Sequence, residues 1–362
     1  MVGKDYSLTM KYQLGKRLCD LPGPVLLTGH TGFKGTWMTF LLEHLNVPVV
    51  GYSLPAEKGS LYARAERNGV IPEMFADIRD HESLEKFIDL YKPSIIIHMA
   101  AQPLVLKSYE SPRETFDVNV MGTVNLLDVA FKNDFIDGIA VITTDKVYRN
   151  DNSGHAFIES DPLEGKDPYS ASKVGTEAVV AAWQQIARIS GGPKVVSLRA
   201  GNVIGGGDFA ENRIIPDLVR AYLSKEKITV RNPNSTRPWQ HVLDPLHGYI
   251  LAVENFLTDT SFHHLNFGPS AKSLSVKDLI DRAVLTIPEL SSLIEIADTN
   301  DYQIEAESLE LNSNSSHRYL EWNPKWEQDV SIRKTFEWWV NYKEGSGNPR
   351  DLCIVDIKNF LE

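Results

Sequence analysis

Cysteine is nearly missing from this chain: Cys19 and Cys353 are the only two in 362 residues, and they stand near opposite ends. A disulfide framework is thereby excluded, and a reducing compartment, the cytoplasm, is the expected location. A basic excess is missing as well. Lys and Arg number 37 against 48 Asp and Glu, a formal net charge of −11 that argues against a general nucleic-acid or membrane-surface binder. No stretch approaches the roughly 20 apolar residues of a membrane helix. Met1–Pro24 has no sustained apolar core and does not read as a signal peptide. Internal repeats are lacking. His98, His241, His263 and His264 have no metal-like spacing to Cys or carboxylates, so they read as structural and no metal is expected.

What is present suits a packed core. Hydrophobic residues make up 42 % and charged residues 23 %, which excludes disorder for the bulk of the chain. The length implies one large or two fused domains. Short apolar runs at Val25–Thr28, Val47–Ser53, Ile95–Met99, Ile139–Thr143 and Val195–Arg199 are continuous rather than alternating. That is how parallel strands covered on both faces look. Helix signals fall between them. Ser111-Pro112 reads as an N-cap with Pro at the first helical position, opening a helix to about Phe131, and Asp167-Pro168 repeats the device. The rhythm predicts an α/β fold, a doubly wound parallel sheet, over residues 1–204. After about residue 205 the rhythm breaks, and residues 205–362 are expected to form a smaller C-terminal substrate-binding domain. A strand near residues 240–245 is the candidate to return to the sheet. Asp298–Ser316 is polar and reads as surface loop.

Gly29-x-x-Gly32-x-x-Gly35 follows a strand and opens a helix, as a dinucleotide turn does: the glycines let backbone N–H groups approach a pyrophosphate. An ordinary strand-to-helix turn is the competing explanation; the strand before and the helix after favour the dinucleotide. Thr31, Phe33 and Lys34 lie in the same turn. The ribose-binding acid expected about 20 residues on is missing. Ser53 ends the second strand in its place, with Lys34 expected near it, so NAD is less firmly separated from NADP than the fold is from others. Asp77 and Ile78, after the third strand, are candidates at the adenine, with a capping role for Asp77 the alternative. Tyr169 and Lys173 are four apart and share a helix face. A Lys beside a Tyr is expected to lower the phenol toward neutrality, fitting it to take a proton from a hydroxyl as hydride leaves the same carbon. Thr144-Asp145-Lys146 stands at the end of a buried strand.

These motifs resemble the extended short-chain dehydrogenase/reductases, which carry the Rossmann fold, and within them the CDP-glucose 4,6-dehydratases. The matching stretches are Thr28-Gly-His-Thr-Gly-Phe-Lys-Gly35, His98-Met-Ala-Ala-Gln-Pro-Leu-Val105, Asn119-Val-Met-Gly-Thr123, Thr144-Asp-Lys146 and Asp167-Pro-Tyr-Ser-Ala-Ser-Lys173. Arg199-Ala-Gly-Asn-Val-Ile-Gly-Gly-Gly-Asp208 and Arg237-Pro-Trp-Gln-His-Val242 follow, with a weaker match from Glu305-Ala306 to Trp322-Asn-Pro-Lys-Trp326. The resemblance implies bound NAD, with Ala100, Ala101, Gln102 and Asn119 joining the residues above at the cofactor. It implies a CDP-hexose substrate held by Asn202, Arg213, Arg231, Arg237 and Asn266, and a homodimer or homotetramer paired through the helices from Pro112 and Pro168. It implies oxidation at the sugar C4 by hydride transfer to NAD, loss of water across C5 and C6, and return of hydride to C6. Tyr169 would take the C4 hydroxyl proton, Thr144 would bond that oxygen, and Asp145 would be the acid for the leaving 6-hydroxyl. Lys146 would be the C5 base or, alternatively, a positioning residue. Two departures stand out. The segment Arg149–Glu159 lacks the family's tryptophan just before the catalytic helix, and Leu106 replaces a basic residue. A 4-epimerase of the same family is the rival activity, and Asp145-Lys146 argues against it. A non-catalytic NAD-binding scaffold would be expected to lose Tyr169, Lys173 or Asp145.

Overall fold

A computed structural model describes residues 13–211, 213–258, 262–297 and 309–362. Its centre is a seven-stranded parallel sheet: β1 (Val25–Thr28), β2 (Val49–Ser53), β3 (Glu73–Phe75), β4 (Ile95–His98), β5 (Gly138–Ile142), β6 (Lys194–Ala200) and β7 (His264–Phe267), in the order β7-β6-β5-β4-β1-β2-β3. The five apolar runs become strands because both faces are buried. Val25, Leu27, Ile95 and Ile97 enter one core, and Leu26, Ile96, Ile139 and Val141 enter the other, on the two-residue period of a pleated strand. Helix α1 (Phe33–His44) covers the first face with Trp37, Phe40 and Leu41; helix α2 (His81–Tyr91) covers the second with Leu84, Phe87 and Ile88. Each such side chain contributes roughly 1.5–3 kcal/mol of burial.

Strand order reverses between β1 and β4, so their C-terminal ends open the crevice where doubly wound sheets bind ligands. His98 locks that point. Thr28 Oγ1 accepts from the Met99 and Ala100 amides, which leaves its own hydrogen for His98 Nδ1 at 2.7 Å, while His98 Nε2 meets Thr123 Oγ1 at 3.1 Å. Burial holds this imidazole neutral, its pKa down at about 3. Among the described residues no group of three or more His, Cys, Asp or Glu could hold a metal ion.

The helix from Pro112 is broken into Pro112–Phe116, a wide π-type turn over Asp117–Met121, and helix α3 (Gly122–Ala130), and the Ser111 side chain does not cap it. Asp167 does cap helix α4 (Pro168–Ser190): its Oδ1 accepts from the Ser170 amide at 2.9 Å, and Ser170 Oγ accepts from the Asp167 amide at 3.1 Å.

The strand expected near residues 240–245 does not join the sheet. Gln240–His241 pairs with Val203–Ile204 in a separate ladder, and the next residues form helix α5 (Leu243–Asn255), because Leu243, Leu246, Tyr249, Ile250 and Val253 recur at helical spacing. The strand that returns is β7, too short and too polar, His-Leu-Asn-Phe, to stand out as an apolar run. Within Asp298–Ser316, residues 298–308 lie outside the described part. The rest is not simple loop: Glu310–Leu311 pairs with Ala156–Phe157, and Asn314–Leu320 is helical. Helices α6 (Gln328–Lys343) and α7 (Pro349–Leu361) complete the α1 face.

Candidate active site

The glycine turn is as tight as its spacing requires. Gly29 has φ +71°, and a Cβ there would lie 2.7 Å from the Ala100 amide nitrogen; one on Gly35 would lie 2.1 Å from the Gly29 carbonyl oxygen. Helix α1 begins at Phe33 with no side-chain cap on its first turn. That cradle fits a dinucleotide pyrophosphate. Thr31 and Ser53 join hydroxyls at 2.8 Å, with Thr31 donating onward to Leu54 O, which fixes the turn against the end of β2. Asp77 is ionised, held below the usual carboxylate range by a two-pronged bond from Arg79 at 2.7 and 3.0 Å. Ile78 is buried against Gly122.

Asn119 lies beside the Ala100–Gln102 loop. Both hydrogens of its buried amide are engaged, with Gln102 O at 3.1 Å and Ser172 Oγ at 2.8 Å, and its oxygen accepts from the Gln102 amide at 2.8 Å. Asn119 therefore shapes the Ala100–Gln102 loop. Asn266 is likewise engaged by other parts of the chain. Its amide donates to Phe157 O and Asn312 O and accepts from the Tyr148 hydroxyl at 2.7 Å, all in the interior.

Helix α4 presents Tyr169, Lys173 and Glu177, four residues apart, to the end of β5. Lys173 Nζ donates to Ile142 O at 3.1 Å, Thr143 Oγ1 donates to Glu177 at 2.6 Å, and Tyr169 hydrogen-bonds with Thr144. The chain then makes one tight turn, Asp145–Val147, capped by Thr144 Oγ1. Asp145 is 1 % exposed; its Oδ1 accepts from Thr144 at 3.0 Å, and its Oδ2 is buried with no partner. Gly201 keeps that oxygen open, since a Cβ there would sit 2.8 Å from it. Lys146 Nζ lies 3.6 Å from Asp145 Oδ1 and 3.2 Å from Asn202 Oδ1.

Two expectations are corrected here. Lys34 is not beside Ser53: its ammonium lies 5.9 Å from the Tyr249 ring centre and interacts with Arg213, Asp145 and Lys146. Burial lowers its pKa to about 8, with Arg213 adding to the effect. Tyr169 is not brought toward neutrality either. Burial pushes it up to about 12, outweighing the Thr144 bond, while the buried Lys173 is pulled down to about 7 with Lys34 contributing. Lys34, Lys146 and Arg213 thus gather about the buried Asp145, with Lys173 near Lys34, a cationic pocket in an acidic protein. Arg213 reaches Asp208 at 3.2 Å, Arg237 is nearly buried and donates to Thr236 O at 2.8 Å, and Arg231 stands exposed one residue past strand Ile228–Val230. Sequence reasoning missed Glu177, although its spacing of four from Lys173 was the signal, and it missed Gly201 and Tyr249.

Known proteins are similar to this chain in sequence and in fold. Over 323 residues the chain is 38 % identical to the CDP-glucose 4,6-dehydratase of Salmonella typhimurium (strain LT2), covering 87 % of this chain and 89 % of that one. In fold it is similar to DesIV, a dTDP-glucose 4,6-dehydratase from Streptomyces venezuelae solved with NAD and TYD bound, at a TM-score of 0.75 and 22 % identity over 90 % of this chain and 99 % of that one. The UDP-glucose 4-epimerase of Thermus thermophilus, in complex with NAD, matches at a TM-score of 0.75 and 22 % identity over 88 % and 99 %. Residues 25–268, from the first strand through the end of the seventh, match the sequence profile of one family, and the chain belongs to it: the NAD dependent epimerase/dehydratase family.

Proposed function

We propose that the protein is an NAD-dependent nucleotide-sugar 4,6-dehydratase acting on CDP-glucose, forming the 4-keto-6-deoxy sugar. The observation that carries this reading is the turn Thr144-Asp145-Lys146, held against Tyr169 with the Asp145 Oδ2 buried and open. An epimerase has no need of an acid and a base beyond its Tyr and Thr. The cofactor would rest on the Gly29–Gly35 turn and the Ala100–Gln102 loop, where it supplies a hydride acceptor at C4 and a donor at C6.

The residues divide the proton chemistry. Tyr169 takes the proton of the C4 hydroxyl, and Thr144 bonds that oxygen. With a pKa of about 12, the phenol needs positive charge beside it to ionise, which Lys173 provides when protonated. A ketone at C4 acidifies the C5 hydrogen. Lys146, once it has passed its own proton to Asp145 3.6 Å away, removes it while Asp145 hands that proton to the 6-hydroxyl, which leaves as water. Lys34, Arg213 and Arg237 offer cationic groups to the diphosphate, and Asn202 orients Lys146. We place the enzyme in the cytoplasm, in keeping with its two free thiols. Among the described residues no helix is long and apolar enough to cross a membrane. Tyr109, Phe116 and Met121, 40–51 % exposed on the helices from Val105 and Pro112, support a homodimer or homotetramer formed through that face.

The test is mass spectrometry of the protein incubated with NAD and, separately, CDP-, dTDP-, UDP- and GDP-hexoses. Loss of one water from CDP-glucose alone is the expected result. Loss from another nucleotide sugar overturns the base assignment, and a product of unchanged mass that chromatography separates from its substrate selects the epimerase.

A further inference from the structure

The tight turn that carries Thr144, Asp145 and Lys146 has only three residues between strand-end and loop, yet both of its flanks are tied to one buried ion pair. Glu177 and Arg199 are 3 % and 1 % exposed. Arg199 grips the carboxylate with two prongs, Nε to Oε1 and Nη2 to Oε2, each 2.8 Å. Each partner then reaches the turn. Glu177 Oε1 accepts from Thr143 Oγ1 at 2.6 Å, just before the turn, and Arg199 Nη1 donates to the Tyr148 hydroxyl oxygen at 2.8 Å, just after it. The same Nη1 donates to Glu159 O at 3.1 Å, and the Tyr148 hydroxyl passes its hydrogen to Asn266, whose amide holds Phe157 O at 2.9 Å. The pair therefore brackets the catalytic turn and ties it to the end of the Arg149–Glu159 segment.

We propose that Glu177 and Arg199 are positioning residues, which set the Asp145 and Lys146 side chains against Tyr169 through Thr143 and Tyr148. Stability is a poor account of such a pair, because a buried ion pair barely repays its desolvation and apolar replacements are often neutral. What a planar, two-pronged pair supplies is direction. Glu177 also belongs to the line Tyr169–Lys173–Glu177, so one helix face fixes residues 142, 143 and 144 in succession. A shift of the turn by even about 1 Å would take the acid and base out of reach of C5 and C6.

Thr143→Val and Tyr148→Phe each cut one tie and leave the ion pair in place. The kinetic part rests on the dehydratase reading, and wild-type turnover tests that reading separately. With the nucleotide sugar that the wild type dehydrates, each variant should lose about 10- to 100-fold in kcat with KM within about threefold, as misplacement of reacting groups does. Arg199→Lys, which keeps the charge but not the fork, should share the defect. Hydrogen exchange needs no substrate: the amides of residues 144–148 should exchange at least about tenfold faster in both tie-cutting variants, as local opening becomes easier. Wild-type kcat in both variants, or unchanged exchange over 144–148, overturns the proposal even where the wild type is an active dehydratase.

Discussion

Lys146→Ala separates the two halves of the proposed reaction. The substitution removes the ammonium 3.6 Å from Asp145 Oδ1 and 3.2 Å from Asn202 Oδ1, and leaves the Tyr169, Thr144 and Lys173 contacts untouched. At 3.6 Å two unit charges attract by about 5 kcal/mol at an effective dielectric of about 20. Asp145 is 1 % and Lys146 24 % exposed, so the cost of desolvating the pair offsets part of that attraction. The variant therefore leaves a buried carboxylate short of its counter-charge as well as removing a base. Loss of a general base costs about 10²- to 10⁴-fold, or about 3–5 kcal/mol of barrier. Oxidation at C4 should fall by less than about tenfold, as expected for a step whose base, Tyr169, is intact. Incubated with NAD and CDP-glucose, Lys146→Ala should build up the near-ultraviolet absorbance of reduced nicotinamide while mass spectrometry finds no loss of water. Lys146→Arg restores the charge beside Asp145 and cannot serve as a base, so it should behave as Ala does. Dehydration by Lys146→Ala at the wild-type rate would refute the base assignment, and rescue by Arg would reduce Lys146 to a positioning charge.

Tyr169→Phe should lower overall turnover about 10²- to 10⁴-fold and, unlike Lys146→Ala, give no reduced nicotinamide in a stopped-flow trace. Gly35→Ala drives a Cβ to 2.1 Å from the Gly29 carbonyl, so titration calorimetry should find NAD affinity down at least about tenfold, while a fold kept intact is checked by circular dichroism. Asp356 is a stability prediction. Burial raises its pKa from 3.8 to about 7, and its Oδ2 has no partner. Between those values the folded state holds a proton that the unfolded chain has lost, so the stability present at about pH 4 is lost as pH rises through about 7. About three pKa units are about 4 kcal/mol. Asp356→Asn should recover up to that amount at about pH 8 and almost none at about pH 4 in urea unfolding; equal gains at both pH values would refute it.

The five apolar strands were legible to within one or two residues, because a strand covered on both faces must be apolar throughout. Helix α4 was legible from Asp167-Pro168, a purely local signal. What could not be seen depends on the rest of the fold. β7 carries two polar residues in four and is a strand only because β6 offers it an edge. Lys34 follows from where helix α1 starts, which turns its side chain away from β2 and toward Arg213 and Asp145. Asn119 and Asn266 match family positions, yet their amides are engaged by residues 17 to 118 positions away in the chain. The phenol of Tyr169 shows the limit of spacing arguments: the helix brings Lys173 to the same face, but burial of both groups decides their proton affinities.

The late arrival of β7 has a consequence for how the chain is made. β6 ends at Ala200 and its outer neighbour begins at His264, so about 60 residues are synthesised before that edge is covered. At 5–20 residues per second this is roughly 3–13 s. For that interval a seven-residue strand, buried in the finished protein at every position but its first, offers unpaired amides and carbonyls to any other nascent chain. A fragment ending at the expected domain border, residue 204, would keep that edge for good, and should be recovered as aggregate rather than as a free cofactor-binding domain.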